Sequence, residues 1–372
     1  MMRRGKRIGA TWVAAALLLA CGSDGNDGTG PTSDEPIAVT HEQGLTGFPA
    51  ALDSIRVTLR IPGMSAAIAQ GGQIVWARGF GYANAEAERP ATSTTPFHLA
   101  SLTKPFASVI LMQLVEQGFV DLDDPVSDYG VVMSSTGTIT VRHLLTHTSE
   151  GTPGASYRYS GNRYASLDQV IQSGSGRSFG SLLVERIIQP LGLVDTAPNP
   201  LQRAAFDLAG LDWGTFSGRM ASGYALEGSE IVRLSHPEYF GVSGGLVASA
   251  EDMARFSMAI DAGLFLAPET WKQVFTPAVS NAGHALPYGL GWFIHEYEGV
   301  TLQWHYGYWT TNASLIVRVP EQGLTFVVMA NTPQLSAEYG LGGDSDVLRS
   351  DVARLFVESF VTGDEPFPVS GR

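Results

Sequence analysis

The sequence predicts an α+β fold in which one antiparallel sheet is flanked by helices and carries an inserted, mainly helical lobe. Strand-like patterns stand near both ends of the chain, and short helical patterns between Gly, Pro and Ser loops occupy the middle, roughly residues 121–239. The two ends of the chain therefore supply the sheet. With 372 residues, 44% of them hydrophobic, the chain is long enough and apolar enough to bury a sizeable core.

The first 20 residues have the pattern of an export signal. A basic start, "MMRRGKR", is followed by "IGATWVAAALLLA", which is too short to span a bilayer comfortably. The run ends in "LLAC", which resembles the lipobox of bacterial lipoproteins, and Cys21 is the chain's one cysteine. This predicts a lipidated Cys21 and an exported protein anchored to a bacterial membrane, facing the periplasm or the exterior. The alternative is an ordinary signal peptide that is cut nearby.

A polar segment separates this signal from the folded part. "GSDGNDGTGPTSDEP" is rich in Gly and Asp and has too little apolar surface to offset the entropy of ordering. We therefore predict a signal peptide over residues 1–20, a flexible tether over residues 21–40 and one folded domain over residues 41–372.

The first elements of the domain are a hairpin and a buried helix. "MSAAIAQ" and "QIVWARGFGYAN" are strand-like runs joined at Gly71 and Gly72, which supply the positive φ of a two-residue turn. "SLTKPFASVILMQLVEQG" has apolar residues on nearly every face and Gly118 as a stop, so it predicts a buried helix beginning at Ser101. Pro105 falls in its first turn, where a missing N–H is tolerated.

The later elements complete the predicted sheet. Helical patterns such as "VRHLLTH", "YASLDQVIQ" and "FGSLLVERIIQPLG" make up the lobe, and strand patterns return in "LQWHYGYW", "ASLIVRVP" and "LTFVVMAN". The segment "EQG" predicts the turn between the last two strands. A final helical pattern covers about residues 345–360.

Ser101 and Lys104 raise the central functional question. A serine at a helix start meets free N–H groups and the positive end of the helix dipole, which favour an oxygen nucleophile and its oxyanion. A lysine three residues later lies on the same helix face, where it can take the hydroxyl proton, and burial would lower the pKa of its amine. Lysine is scarce, since Lys6, Lys104 and Lys272 are the only three. On these residues alone, a helix cap followed by a surface lysine is an equally good interpretation.

Two other patterns suggest different chemistry and are set aside. "GRSFG" matches the Gly-x-Ser-x-Gly elbow of α/β-hydrolases, but it follows a helical pattern, so Ser178 is predicted to cap the next helix. His143 and His147 stand four residues apart on a predicted helix and could share a zinc ion. Position 144 is Leu, which removes the Glu of a His-Glu-x-x-His protease, so we predict no metal and no cofactor.

Charge excludes one class of partner. The formal net charge is −13, and no cluster of Lys and Arg occurs beyond the first seven residues. A nucleic-acid backbone is therefore not expected as a partner.

Several motifs in order resemble the serine β-lactamase and penicillin-binding-protein superfamily, in its class C β-lactamase, D-Ala-D-Ala carboxypeptidase and esterase branch. They are "ASLTKPF", "VRHLLTHTSEG", "YRYSGNRYASL", "IIQPLGL", "SGGLVASAEDMARF", "YGLGW" and "WHYGYW", and they cover nearly the whole mature chain. Within this resemblance "SLTK" matches the Ser-x-x-Lys motif, "YSG" the second motif and "HYG" the third.

The resemblance implies a set of catalytic roles. Ser101 attacks a carbonyl to form an acyl-enzyme, and Lys104 helps to deprotonate it. Tyr159, as phenol or phenolate under the influence of the lysine charge, relays protons to the leaving group and then activates water. His305 tunes this pair from the bordering strand.

The resemblance also implies substrate-binding positions on that strand. Gly307 lets substrate lie close against the strand, and the backbone N–H groups of Ser101 and Tyr308 form the oxyanion hole.

Three departures from the family pattern affect the expected substrate. Gly161 replaces the usual Asn of Tyr-x-Asn, and Asn162 stands one place late, so the amide that contacts substrate and lysine is missing or shifted. Tyr306 replaces the Thr or Ser that usually binds a substrate carboxylate. Only eight residues, 151–158, separate "HTSE" from Tyr159, which predicts an open cleft.

The sequence thus predicts a serine hydrolase that acts on an ester or amide bond, with a small ester or a D-amino-acid peptide favoured over a β-lactam. Its expected partners are a small-molecule or peptidoglycan-derived substrate and, through the lipid, a membrane. The alternative is a catalytically idle module that binds peptidoglycan fragments or a partner protein in the same cleft.

Overall fold

A seven-stranded antiparallel sheet forms the centre of the computed structural model, which describes residues 45–341 and 345–362. The predicted signal peptide, Cys21 and most of the predicted tether lie outside the described residues. The sheet order is β3-β2-β1-β12-β11-β10-β9. The strands are β1 (Gly63–Gln70), β2 (Gln73–Asn84), β3 (Arg89–Pro90), β4 (Phe97–His98), β5 (Ala197–Pro198), β6 (Gly223–Glu227), β7 (Glu230–Leu234), β8 (Leu246–Ala248), β9 (Phe293–Tyr297), β10 (Val300–Trp309), β11 (Asn312–Val319) and β12 (Leu324–Ala330).

The helices lie on both sides of this sheet and in the inserted lobe. They are α1 (Phe48–Thr58), α2 (Lys104–Glu116), α3 (Val141–Leu145), α4 (Gly161–Tyr164), α5 (Leu167–Ser175), α6 (Phe179–Leu183), α7 (Gln189–Leu191), α8 (Arg203–Phe206), α9 (Trp213–Arg219), α10 (Ala250–Asp261), α11 (Pro268–Val274), α12 (Gln334–Ala337) and α13 (Asp351–Phe360). Short 3₁₀ turns cover Ala100–Thr103, Val126–Tyr129, Asp207–Ala209, Pro320–Gln322 and Val347–Arg349, and a π-helical segment, Val184–Ile188, joins α6 to α7.

The two ends of the chain build the sheet, as predicted. β1 pairs with β12 along its whole length, from Met64 opposite Ala330 to Gln70 opposite Leu324. The predicted hairpin is also confirmed, because Gly71 and Gly72 both have positive φ and join β1 to β2. These pairings bring residues from both ends of the sequence into one core.

The helix that follows Ser101 is buried on every side. All residues from Lys104 to Leu114 are buried, and the Phe106 ring stacks on Phe256 at 3.8 Å between centroids. The sequence predicted a helix from Ser101, whereas the structure has a 3₁₀ turn over Ala100–Thr103 before α2 begins at Lys104. Pro105 is compatible with this first turn because its N–H is not needed there.

The inserted lobe is mainly helical but not entirely so. It contains α3 to α9 and also an antiparallel hairpin, β6–β7, which the sequence analysis did not predict. A two-residue connection with Gly228 at a φ of 60° links its strands. Most of β7 is exposed, so this hairpin lacks the strict alternation of apolar and polar residues from which strands are recognised.

The C-terminal helical pattern begins later than predicted. In place of one helix over about residues 345–360, the structure has the short turn Val347–Arg349 and then α13, which packs against α1. Over residues 45–341 and 345–362, no helix combines the length and the apolar character needed to cross a membrane.

Candidate active site

The proposed nucleophile lies directly after a strained residue. Ala100 has a φ of 49°, a left-handed conformation that costs a non-glycine residue on the order of 1 kcal/mol. The His98 ring accepts a hydrogen bond from the Ala100 N–H at 3.1 Å, and the Thr103 hydroxyl donates to the Ala100 carbonyl at 2.8 Å. These contacts hold the turn that presents Ser101, whose side chain is partly exposed at the start of α2.

Lys104 is buried beside the Ser101 hydroxyl. Its Nζ lies 2.9 Å from Ser101 Oγ and 2.9 Å from the carbonyl oxygen of Ser243. The amine also lies over the rings of Tyr159 and Tyr164, at 5.0 and 5.3 Å from their centroids. The surface-lysine alternative is therefore wrong, because the side chain has no exposure to solvent.

Burial sets the protonation of this lysine. It lowers the pKa of Lys104 to about 7, as expected for an ammonium group removed from water. No carboxylate in the described part of the chain forms an ion pair with it. Near neutral pH a large fraction of the amine is therefore uncharged and able to accept the Ser101 proton.

Tyr159 reaches the same point from the lobe. Burial raises its pKa well above the ordinary value and Tyr306 adds to the rise, while the nearby Ser101 hydroxyl lowers it to a smaller extent. The Tyr159 hydroxyl is buried and makes no hydrogen bond of ordinary geometry within the described residues. The expectation that the lysine charge would bring the phenol towards ionisation is not met, so Tyr159 is a neutral phenol in the free protein.

His147 holds the segment that carries Tyr159. Its carbonyl accepts the Arg158 N–H at 2.8 Å, and its Nδ1 accepts the Ser160 N–H at 3.2 Å. Its ring lies 4.3 Å from the Tyr159 ring, centroid to centroid. His147 thus binds the backbone on both sides of Tyr159.

His305 is placed behind the site and not at its surface. It is fully buried, with Nδ1 2.7 Å from the Tyr306 carbonyl and Nε2 2.9 Å from the Tyr288 hydroxyl. A carbonyl only accepts, so Nδ1 carries the proton and Tyr288 donates to Nε2. Burial lowers the pKa of His305 well below its ordinary value. It supports the Tyr159 ring, 6.2 Å away between centroids, as a neutral packing partner.

The third motif lies on β10 beyond the end of its pairing with β9. β9 pairs with β10 only as far as Trp304, and the 3₁₀ turn that carries Ser101 packs against the rest of β10. The Tyr308 side chain is 51% exposed there. The absence of a side chain at Gly307 has a packing reason, since a Cβ there would lie 1.9 Å from the Leu99 carbonyl oxygen. Glycine at this position therefore allows the segment before Ser101 to lie close to the sheet. The expected contact of Gly307 with substrate stays a prediction.

Gly161 and Asn162 of the altered second motif lie at the start of α4. Asn162 is exposed on α4, and a Cβ at Gly161 would meet no atom within 4 Å. The lysine's second partner is the backbone carbonyl of Ser243, the first residue of "SGGLVASAEDMARF". Tyr306 packs 5.6 Å from the Tyr159 ring, and burial raises its pKa to about 12.

The two alternative motifs have structural roles. Ser178 Oγ accepts the Ser181 N–H at 3.2 Å and caps α6, as predicted. His143 and His147 do not share a helix, because α3 ends at Leu145 and His147 has a φ of 54°. Among the residues that the structure describes, no three His, Cys, Asp or Glu side chains are grouped to hold a metal ion.

Chemically, the site combines a hydroxyl, a buried amine able to act as a base and a neutral phenol. In this arrangement the hydroxyl can attack a carbonyl, and its proton can pass through the amine and the phenol to a leaving group. Around it stand the aromatic residues of the site, which we call the aromatic wall: Tyr157, Tyr159, Tyr164, Tyr288, Phe293 and Tyr306.

Comparison with known proteins gives a consistent result. The family model described as Beta-lactamase matches residues 48–346. Penicillin-binding protein 4* of Bacillus subtilis (strain 168) is 25% identical over 337 residues, which cover 80% of this chain and 73% of that protein. A D-aminopeptidase of Gluconobacter oxydans (strain 621H) is 26% identical over 317 residues, covering 76% of this chain and 58% of the relative.

A solved structure shares the fold. The octameric penicillin-binding protein homologue from Pyrococcus abyssi aligns with a TM-score of 0.70 and 24% identity. The alignment covers 79% of this chain and 75% of that one.

Proposed function

Since the chain belongs to the beta-lactamase family, we propose that it hydrolyses a small ester or a D-amino-acid peptide through an acyl-enzyme on Ser101. It is a serine hydrolase of the β-lactamase, DD-peptidase and esterase type. The observation that carries the catalytic assignment is the 2.9 Å contact between Ser101 Oγ and the buried Nζ of Lys104.

In the acylation step, the neutral amine of Lys104 takes the Ser101 proton while Oγ attacks the substrate carbonyl. The leaving oxygen or nitrogen then receives a proton from the Tyr159 phenol, and the lysine ammonium returns its proton to Tyr159. This sequence balances protons without a free tyrosinate, in agreement with the raised pKa of Tyr159. Deacylation runs the same relay in reverse with water as the nucleophile.

The walls of the site favour an uncharged substrate. Tyr306 stands where a hydroxyl for a substrate carboxylate would be expected. The cations near Tyr159 are already engaged, since Arg158 pairs with Glu150 at 3.1 Å and Arg163 donates to Ser149. A Cβ at Gly161 would meet no atom within 4 Å, so no side chain fills the space at this position. An apolar acyl group packed on the partly exposed rings of this wall, Tyr157, Tyr159 and Tyr306, fits these features better than an anionic β-lactam.

The sequence of residues 1–40 supports a proposal about location. We propose that the protein is exported and attached to a bacterial membrane through a lipid on Cys21, with its hydrolase domain held on the tether. Its substrate is then a small molecule or a peptidoglycan-derived compound outside the cytoplasm.

The test combines active-site labelling with a substrate panel. The purified protein is treated with a fluorophosphonate probe and assayed on p-nitrophenyl butyrate, nitrocefin and a D-Ala-D-Ala peptide. We expect labelling and ester hydrolysis in the wild type, loss of both in Ser101→Ala and retention of both in Ser178→Ala.

Other outcomes identify the alternatives. No labelling and no turnover of any substrate in the folded wild type would contradict the proposal and favour a binding module. If Ser178→Ala loses labelling and ester hydrolysis while Ser101→Ala retains them, the nucleophile is Ser178 and the assignment of Ser101 is wrong. Rapid nitrocefin hydrolysis with no ester hydrolysis would keep the nucleophile but contradict the proposed substrate class.

A further inference from the structure

The carbonyl that binds Lys104 stands at the tip of a tight backbone turn. Gly241 and Gly244 exchange two backbone hydrogen bonds, of 2.9 and 3.2 Å, which close a two-residue turn at Val242 and Ser243. Ser243 directs its carbonyl to the lysine amine. The position of this turn therefore determines where the amine points.

Asp168 holds the same turn from the other side. Both of its carboxylate oxygens lie near the Val242 N–H, at 3.3 and 3.2 Å. The carboxylate also packs against Gly241, where a Cβ would lie 2.4 Å from Oδ2. The turn is thus bound at adjacent residues, to Asp168 through Val242 and to Lys104 through Ser243.

We propose that Asp168 is a positioning residue for the reaction, which fixes the Ser243 carbonyl and through it the orientation of the Lys104 amine. The inference rests on the proposed role of Lys104 as the base for Ser101.

The chemistry of a neutral amine explains why the carbonyl matters. An uncharged lysine amine has two N–H donors and one lone pair. When one N–H is committed to the Ser243 carbonyl, the rotation of the amine is restricted and the lone pair can be directed at the Ser101 hydroxyl. If the turn is not fixed, the amine can rotate, and its lone pair faces the Ser101 hydroxyl for a smaller fraction of the time. The acylation rate then falls.

The surroundings leave few other groups to hold the tip. The Tyr239 hydroxyl lies 2.9 Å from Ser243 Oγ, and burial together with the charge of Asp168 raises the pKa of Tyr239. Asn199 binds the carbonyls of Pro237 and Tyr239 at the base of the loop. Burial raises the pKa of Asp168 to about 6, so its carboxylate is ionised at pH 8 and accepts the Val242 N–H strongly.

The experiment compares two substitutions that have the same number of side-chain heavy atoms. Asp168→Asn keeps an acceptor oxygen for the Val242 N–H, whereas Asp168→Leu removes it, and Asp168→Ala serves if the leucine variant does not fold. At pH 8 we expect kcat for p-nitrophenyl butyrate to fall at least tenfold in the Leu or Ala variant with KM changed less than threefold. The Asn variant should stay within about threefold of wild type.

A pH profile separates positioning from general loss of stability. When the Ser243 carbonyl is no longer held in place, the lysine ammonium loses an acceptor and the pKa of Lys104 falls. The acid limb of kcat/KM should therefore move to lower pH in the Leu or Ala variant. The matched control is Asp252→Asn, since Asp252 is a buried carboxylate that accepts the Asp195 N–H in another part of the fold. It should lower thermal stability without moving the acid limb.

Two results would overturn the inference. If the Leu or Ala variant keeps the wild-type kcat and the wild-type acid limb, Asp168 does not act on the Lys104 amine. If the Asn variant loses as much kcat as the Leu or Ala variant, the acceptor oxygen for the Val242 N–H is not what matters. If Ser101→Ala retains full activity, the proposed function and the inference about Asp168 are both wrong. Normal dependence on Ser101 together with a wild-type-like Leu variant would refute the role of Asp168 alone.

Discussion

At the scale of single residues, the main feature is Lys104, a lysine that is fully buried from solvent. A pKa lowered from 10.5 to about 7 corresponds to roughly 5 kcal/mol of lost stabilisation of the ammonium form. Because the folded protein binds this proton less tightly than the unfolded chain, the cost is greatest below pH 7 and decreases as pH rises towards 10.5. The protein thus carries a destabilising side chain at the position where a neutral base is needed.

Tyr159 is the complementary case, since burial keeps its proton on. A phenol that stays protonated is suited to donate to a leaving group and unsuited to act as the first base. This assigns the two proton transfers to different residues, with the amine at the nucleophile and the phenol at the leaving group.

That division predicts a leaving-group effect in Tyr159→Phe. We expect kcat/KM for ethyl butyrate to fall at least about 100-fold, because an ethoxide needs a proton. For p-nitrophenyl butyrate the fall should be less than tenfold, because p-nitrophenolate leaves unprotonated. Since kcat/KM reports the steps up to acylation, the shared acyl-enzyme does not mask the difference.

The control for this prediction is Tyr157→Phe, which removes a neighbouring hydroxyl of the aromatic wall and should affect both esters equally. Equal losses on the two esters in Tyr159→Phe would show that the phenol acts elsewhere than at the leaving group.

At the scale of elements, the site depends on irregular segments attached to regular ones. α2 and β10 supply the rigid parts, while Ser101 stands on a 3₁₀ turn and Tyr159 on a loop just before α4. The loop is fixed by His147, whose own backbone is left-handed at a φ of 54°. Each functional group is therefore positioned by hydrogen bonds to backbone more than by membership of a helix.

His147 gives a prediction at this scale. His147→Ala removes the acceptor for the Ser160 N–H and frees one side of the Tyr159 backbone. We expect kcat/KM for ethyl butyrate to fall about tenfold or more and that for p-nitrophenyl butyrate to fall less, because the effect passes through the phenol. His147→Asn, which tolerates a positive φ and keeps an acceptor, should recover part of the loss.

His143→Ala is the matched control for His147. His143 contacts Thr140 at the start of α3, so its removal should lower stability without a leaving-group effect. A loss in His147→Ala that is equal for both esters would refute the positioning of Tyr159 by this histidine.

At the scale of the whole molecule, three distant parts of the chain meet at one site. The 3₁₀ turn and the start of α2 bring Ser101 and Lys104, the lobe brings Tyr159, and the sheet brings β10. The predicted architecture anticipated this arrangement because hydrophobic periodicity and glycine turns report directly on strands and helices. A spacing of three residues also suggests that Ser101 and Lys104 share one face of a helical turn. The residues alone, however, do not decide between this pair and a helix cap followed by a surface lysine.

The remainder could not be predicted because backbone groups leave no sequence signature. A backbone carbonyl such as that of Ser243, which accepts from Lys104, is present at every residue, so no residue type marks it. The approach of Leu99 that requires Gly307 depends on tertiary packing, as does the burial that keeps Tyr159 protonated. His147 was noticed only as a possible zinc ligand, because its hydrogen bonds depend on a left-handed turn after α3.

The most direct test of the central claim is the rate at which a fluorophosphonate labels Ser101 as a function of pH. Fluoride leaves without a proton, so the rate isolates activation of the hydroxyl by the amine. We predict a rate that rises with pH to a plateau, with a midpoint near the Lys104 pKa of about 7, and a fall of at least about 100-fold in Lys104→Ala. A rate that is independent of pH between 5.5 and 8.5, or unchanged in Lys104→Ala, would contradict it.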